Sequence, residues 1–524
     1  MTRPKHILTM IPMAAAIAPG AMAQNRPNII HIMSDDHAYQ AISAYGDQLS
    51  EHAPTPNLDR LASEGMMFRR AYVENSLSTP SRACLFTGLY SHQNGQRGLG
   101  RGIDTTKTFV SEILQQNGYQ TGVVGKWHMQ CTPKGFDWYE VFYNQGEYYN
   151  PGVKTPLTEG RYERQEGYAT ELVTEKAISF IENRDTTRPF CLFVHHKAPH
   201  RNWMPALKYI GLFDDIEFPM PDTFYDDYQG RGAAEHQQEM SIDKDMTMEY
   251  DLHVPGWGAM HGFDETYAEY WGSSISRLSP EEREYVEQTY ARRNAELLEK
   301  DLKGDDLVRW KYQRYVRDYL SVIRSVDDSV GELLEYLEAQ GLLDNTVVVY
   351  TSDQGFYMGE HGWFDKRFMF EESFRTPLLI RYPAMIKPGS VSDALVQNID
   401  FAPTYLDLAG IEKPEEMVGT SIVPVLKKEG KSPRRWRRYL YYHYYDYPAE
   451  HNVLRHDGVF DKRWKLIHFY DPEGKVPSYD ELFDLRHDPQ ELRNVIGERS
   501  SRRALRRLRK QLERFRTEQA IDEI

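Results

Sequence analysis

Cysteine is scarce: Cys84, Cys131 and Cys191 are the three thiols in 524 residues. Three cannot form a disulfide scaffold, and any single bridge leaves one over. Long apolar runs are also missing beyond the first 23 residues. No other stretch nears the ~20 residues that cross a bilayer, so no membrane span is expected. A basic excess is lacking too. Sixty-three Lys and Arg stand against 78 Asp and Glu, 63 − 78 = −15, whereas nucleic-acid binding needs a basic footprint, so no nucleic-acid partner is expected. At 40% hydrophobic and 27% charged residues, the composition excludes a disordered chain.

What is present begins with an address. Arg3 and Lys5 precede an apolar stretch from Ile7, and Ala21-Met22-Ala23 stands before Gln24. This is the three-part plan of a secretory signal peptide over residues 1–23. Pro12, Pro19 and Gly20 argue against a buried helix there, and the expected location is periplasmic or secreted. The remainder is too long for one ordinary domain. It divides into a large unit over 24–429, with an insertion at about 201–310, and a smaller α+β unit over 430–524. A small antiparallel sheet and a terminal helix are expected in the latter.

Apolar β runs at 27–33, 189–196 and 345–352 alternate with helical stretches at 56–66, 108–117, 167–183 and 310–340. This grammar predicts an α/β sandwich around a mainly parallel sheet. The first run ends in Asp35-Asp36 and the last in Asp353-Gln354, where α/β proteins place ligands. Such an all-oxygen set suits a hard divalent cation; a single strand-end Asp is equally a turn or helix cap. Between Ser76 and Gly88, a Ser/Pro loop enters a helix with Arg82 on its first turn. There, free N–H groups and a guanidinium fork favour an anion, and the Ser78 hydroxyl is a candidate nucleophile.

Ser78-Thr79-Pro80-Ser81-Arg82 with Ala83 and Leu85–Gly88 resembles the first signature of the type I sulfatases in its serine form. Gly118–His128 resembles the second, and Asp35-Asp36, Ala198-Pro199-His200, Asp353-Gln354-Gly355 and Lys366 follow in the family's order. The resemblance implies a sulfatase/alkaline-phosphatase-like sandwich with a large mixed, mainly parallel sheet. It implies a sulfuric ester hydrolase in which a serine-type radical maturing enzyme oxidises Ser78 to formylglycine (3-oxoalanine). Asp35, Asp36, Ser78, Asp353 and Gln354 would hold Ca²⁺, with Gln354 where relatives often carry Asn. Arg82 would stabilise the nucleophile. Lys126, His200 and Lys366 would meet the sulfate or the leaving oxygen, and His128 would lie beside the hydrate. His200 is the candidate general acid, with its pKa within reach of working pH.

The implied substrate is a sulfated carbohydrate. Segments 196–203, 362–373 and 441–445 resemble bacterial N-acetylglucosamine-6-sulfatases acting on glycosaminoglycans or mucins. Algal polysaccharides, or a phosphatase or phosphodiesterase using unmodified Ser78 or Thr79, are the alternatives. His443, His451 and Arg455 are candidate sugar contacts beside the aromatics of 439–447, which could equally be a packed strand. His361 either lines the pocket or shapes a turn. The Arg-rich stretch 499–510 is a solvated helix face or, less often for such runs, an anion-binding strip.

Overall fold

The three apolar runs and Gln120–Gly125 become neighbouring parallel strands in a computed structural model that describes residues 26–523; the signal-peptide reading of 1–23 lies outside them. The strands are β1 (Asn28–Ser34), β2 (Gln120–Gly125), β3 (Phe190–His195) and β4 (Thr346–Ser352), in the order β4-β1-β3-β2. They form the middle of a ten-stranded sheet whose flanks include antiparallel partners, beginning with Leu378–Arg381 against β4. Period-two alternation explains why both faces are covered. Ile30, Ile32, Leu192, Val194, Val348 and Tyr350 enter one core, while Ile29, Met33, Cys191, Phe193, Val347 and Val349 enter the other. Each such aliphatic side chain contributes about 1.5–3 kcal/mol by leaving water.

Parallel pairing in this register has a functional result. Ser34 lies opposite Ser352, and Met33 and Gly125 both lie opposite His195. The chain therefore leaves all four strands at one edge, delivering Asp35, Lys126, the 196–200 turn and Asp353 together.

Helix α1 (Ser78–Thr87) is buried along its whole length and ends at Gly88, whose φ of 64° needs no Cβ. Ser78 itself opens the helix, so Arg82 lies one turn further on than the sequence reading placed it, on the same face as Ser78. The segment expected as an insertion at about 201–310 ends in regular structure. Pro280–Lys300 is a 21-residue helix (α2), opened by a capping box between Ser279 and Glu282. Its polar composition hid it: its buried residues are Val286, Thr289, Tyr290, Asn294 and Leu297. Helix α3 (Gly304–Ala339) packs Tyr312, Tyr315 and Tyr319 beneath the sheet edge.

Beyond residue 430 four antiparallel strands follow, β5 (Leu440–Tyr444), β6 (Arg455–Phe460), β7 (Trp464–Tyr470) and β8 (Tyr479–Asp484). Helix α4 (Arg502–Glu518) lays Ala504, Leu508 and Leu512 on them. The tyrosine run is a packed strand: Tyr441, Tyr442, Tyr444 and Tyr445 are buried and offer no sugar platform. Arg509 of the basic stretch pairs with Asp480 at 2.6 Å, and Arg507 pairs with Asp461, so these guanidiniums tie α4 to the sheet.

Candidate active site

The strand edge gathers a buried cluster of opposite charges. Ser78 Oγ donates to Asp35 Oδ1 at 2.8 Å and lies 3.4 Å from Gln354 Nε2. Lys126 pairs with Asp35, and Lys366 Nζ lies 2.7 Å from each oxygen of Asp36. Arg82 donates from Nε (3.2 Å) and Nη2 (3.0 Å) to Asp353 Oδ2, and from Nη1 to the Lys126 carbonyl at 2.9 Å. Asp353 Oδ1 accepts from the Asp36 amide at 3.1 Å. His200 Nε2 stands 3.8 Å from Asp36 Oδ2. Asp36 holds a positive φ of 65°, and Tyr319 of α3 braces it by donating to its carbonyl at 2.6 Å.

Burial and charge act in opposite directions on these groups. Burial pushes Asp36 up to about 6 and Asp353 up to about 7, against nearby cations. Asp35 is held well below the carboxylate range because Lys126, His200, Arg82 and Lys366 together outweigh its burial. Burial lowers His128 to about 3 and, with the surrounding lysines, takes His200 well below its ordinary value. Burial thus moves His200 below the pKa near working pH that the sequence led us to expect.

The donor chemistry fits a hard cation. Gln354 Oε1 is buried without a hydrogen-bond partner, so an acceptor has been desolvated with nothing to satisfy it. Ligand atoms of Asp35, Asp36 and His200 lie within 4.8 Å of one another. Asp353, Ser78 and Gln354 stand at the same edge, although Asp353 is turned toward Arg82 and the Asp36 amide.

A cleft opens over Ser78, His200 and Lys366. Its further walls are Leu77, Leu99, Gln145, Arg201, Tyr250, Tyr267, Tyr270, Asp365, Arg367 and Glu450. Arg201 is fixed by Asp251 at 2.9 and 2.7 Å and lies over the Tyr250 ring. Arg367 lies 3.0 Å from Asp365, and its buried Nη1 has no partner.

The sulfatase family profile matches residues 27–411, and a profile described as N-sulphoglucosamine sulphohydrolase, C-terminal, matches 359–518. The chain belongs to the sulfatase family. This sulfatase is 47% identical over 493 residues to N-acetylglucosamine-6-O-sulfatase of Bacteroides thetaiotaomicron, covering 94% of this chain and 86% of the relative. It superposes with TM-score 0.89 and 46% identity on a protein solved in complex with its substrate D-glucosamine-2-N,6-O-disulfate, covering 95% of this chain and 99% of that one. A phosphonate monoester hydrolase from Silicibacter pomeroyi, at 20% identity and TM-score 0.66 over 94% of this chain and 96% of that one, shares the fold alone. The protein is a sulfuric ester hydrolase with the expected sandwich around a large mixed sheet.

Not every expected residue reaches the cleft of this sulfatase. His128 sits beside Thr79 (Nδ1 to Oγ1, 3.2 Å) and lines a separate hollow with Trp127 and Gln130. His361 is buried between Trp363 and Phe370, bonds Asp226 at 2.7 Å and has φ 58°, so it shapes a turn and lines no cleft. His443 is core: its nitrogens meet the Tyr441 (2.9 Å) and Tyr470 (2.7 Å) hydroxyls, and its ring stacks on Tyr445. Arg455 donates to the Tyr447 carbonyl and Glu523, each at 3.2 Å, away from the cleft. His451 lies behind the wall, 3.2 Å from Arg201 and 3.5 Å from Asp365.

Sequence reasoning missed Arg201, Asp365, Arg367 and the three tyrosines. The first three adjoin His200 and Lys366 in the chain, a signal that could have found them. Tyr250, Tyr267 and Tyr270 carry no motif. Among the described residues, no helix is long and apolar enough to cross a membrane.

Proposed function

We propose that this sulfatase is exported and removes the 6-O-sulfate of N-acetylglucosamine units in glycosaminoglycans or mucins, using a formylglycine made from Ser78 together with Ca²⁺. The observation that carries the chemistry is Ser78 at the cleft floor, flanked by Asp35, the orphaned Gln354 oxygen, Lys126 and Lys366. The substrate assignment rests on the 47% identity to a 6-O-sulfatase and the 46% identity to the protein solved with a 6-O-sulfated glucosamine. We take 24–429 as the catalytic unit and 430–524 as the unit that supplies Glu450 to the cleft's outer wall.

In this reading Asp35, Asp36, Asp353, Gln354 and the matured Ser78 would hold Ca²⁺, which would supply positive charge against the sulfate oxygens. A serine-type maturing enzyme would withdraw two hydrogens from Ser78, and the resulting formylglycine would supply a hydrated aldehyde as the nucleophile at this position. Lys126 and Lys366 exchange their carboxylates for sulfate oxygens and neutralise repulsion between two anions. Arg82 holds Asp353 and the 126 carbonyl in place. His128, bonded to Thr79 in the hollow behind Ser78, would reach the nucleophile only from that side, and burial makes it a weak base. His200, its Nδ1 turned to the Arg201 carbonyl, keeps Nε2 toward the cleft and gains basicity from the bound anion. It would take up a proton from solvent at Nε2 as the anion binds and pass that proton to the departing sugar oxygen. The free Arg367 donor and the tyrosine wall suit sugar hydroxyls and pyranose faces.

The test uses protein produced with a serine-type maturase. The Ser78 peptide should weigh less by the mass of two hydrogens, and sulfate should be released from N-acetylglucosamine 6-sulfate but not from 2- or 4-sulfated sugars. Absence of release from the 6-sulfated sugar retires the substrate. Turnover with unmodified Ser78 retires the mechanism.

A further inference from the structure

We propose that a basic groove at the far end of the β5–β6 hairpin is a second, non-catalytic binding site for a sulfated glycan chain. Arg434, Arg437, Arg438, Lys462 and Arg507 line it beside Trp436. Two carboxylates oppose these five cations: Asp461, which pairs with Arg507, and buried Asp400, 2.5 Å from Arg437. The local balance is 5 − 2 = +3 in a chain whose net charge is −15. Among the described residues Arg434, Arg438 and Lys462 have no ion-pair partner, and Arg434 and Arg438 are exposed. Such a concentration is costly in self-repulsion unless an anion answers it.

The groove is a built surface. Trp436 Nε1 donates to the Leu395 carbonyl at 2.9 Å, and the Trp436 amide closes a turn on Pro433 at 2.9 Å. The arginines therefore project from an anchored backbone. Leu440 pairs with Phe460 at this end of the hairpin and Tyr444 with His456 at the other, from which the chain runs on to Glu450 in the cleft. At ~3.3 Å per strand residue, Arg438 and Tyr444 stand roughly 20 Å apart.

The occupant follows from chemistry. A sulfatase that removes one ester from a chain leaves the neighbouring anionic groups in place, and arginine forks bind sulfate bidentately. This rests on the family's activity and not on the 6-O position.

The test titrates a heparin decasaccharide into the full chain carrying Ser78→Ala, with monosaccharide 6-sulfate in excess to fill the cleft. Adding Arg434→Ser and Arg438→Ser should weaken binding about tenfold and flatten its salt dependence. In the Ser78 background the same pair should leave kcat and KM on the monosaccharide unchanged. Equal heparin affinity with and without the arginines overturns the proposal. So does equal affinity for a duplex DNA of matched charge, which would mark an unselective polyanion surface.

Discussion

Lys366 Nζ bridges both carboxylate oxygens of Asp36 at 2.7 Å across 330 residues of chain. The lysine is the cation nearest a carboxylate that burial pushes up to about 6, and in the proposed mechanism the same ammonium would turn to the sulfate. Lys366→Ala should lower kcat/KM on a sulfate ester by about 10²–10³-fold, the scale for losing one donor at developing charge. Lys366→Arg should recover part of it. Wild-type kinetics in the alanine variant would count against any role at the sulfate.

The orphaned Gln354 oxygen leads to a binding prediction that needs no turnover. If a cation satisfies it, Ca²⁺ at one hundred times its Kd stabilises the fold by about 2.7 kcal/mol. Melting curves should shift upward with added Ca²⁺ and downward with chelator. In Gln354→Leu, which keeps bulk and removes the oxygen, the Ca²⁺-dependent shift should shrink by more than half. An unchanged shift removes Gln354 from the ligand set.

Glu74 gives a pH dependence away from the cleft. Its carboxyl is fully buried, accepting from the Ser91 amide at 3.2 Å and from Cys84 Sγ at 3.4 Å, and burial raises it from 4.5 to about 7. Below 4.5 both folded and unfolded chains hold the proton. Between 4.5 and 7 the folded chain alone holds it, so stability falls as pH rises through that window, by roughly 3 kcal/mol, and is level above it. Glu74→Gln removes the slope. The melting temperature of the variant relative to wild type should rise by about 3 °C from pH 5 to pH 8, and an equal gap at both pH values contradicts the assignment.

The strand ends were legible because parallel strands in register must deliver their following residues to one edge. Asp35 and Asp353 needed no more than that, whereas Lys126 and His200 came from the resemblance to the sulfatase signatures. The long helix α2 was not, because a helix burying few side chains among many charges shows little apolar period. His443 was misread, and His361 left open, for one cause: a histidine with polar neighbours looks the same in sequence whether those neighbours are substrate or protein. Here Asp226 satisfies one, and the Tyr441 and Tyr470 hydroxyls the other. The outer cleft wall is built from segments far apart in sequence, and only packing brings Glu450 to Arg201, 3.5 Å away.

Tyr250, Tyr267 and Tyr270 meet at that wall with ring centroids 5.3 to 5.7 Å apart. Tyr267 and Tyr270 are 39% and 46% exposed, an unusual cost for rings that make no core. Arg201 stacks on Tyr250 from beneath and holds the group in place. Rings presented this way bind a pyranose face in ground state and transition state alike, which alters KM and spares kcat. Tyr270→Ala should therefore raise KM for the sulfated sugar about fivefold, the equivalent of about 1 kcal/mol of aromatic contact, with kcat held within about twofold. Tyr270→Phe, which keeps the ring, should retain the wild-type KM. A fall in kcat with KM unchanged would place the ring in the chemical step and not at the sugar.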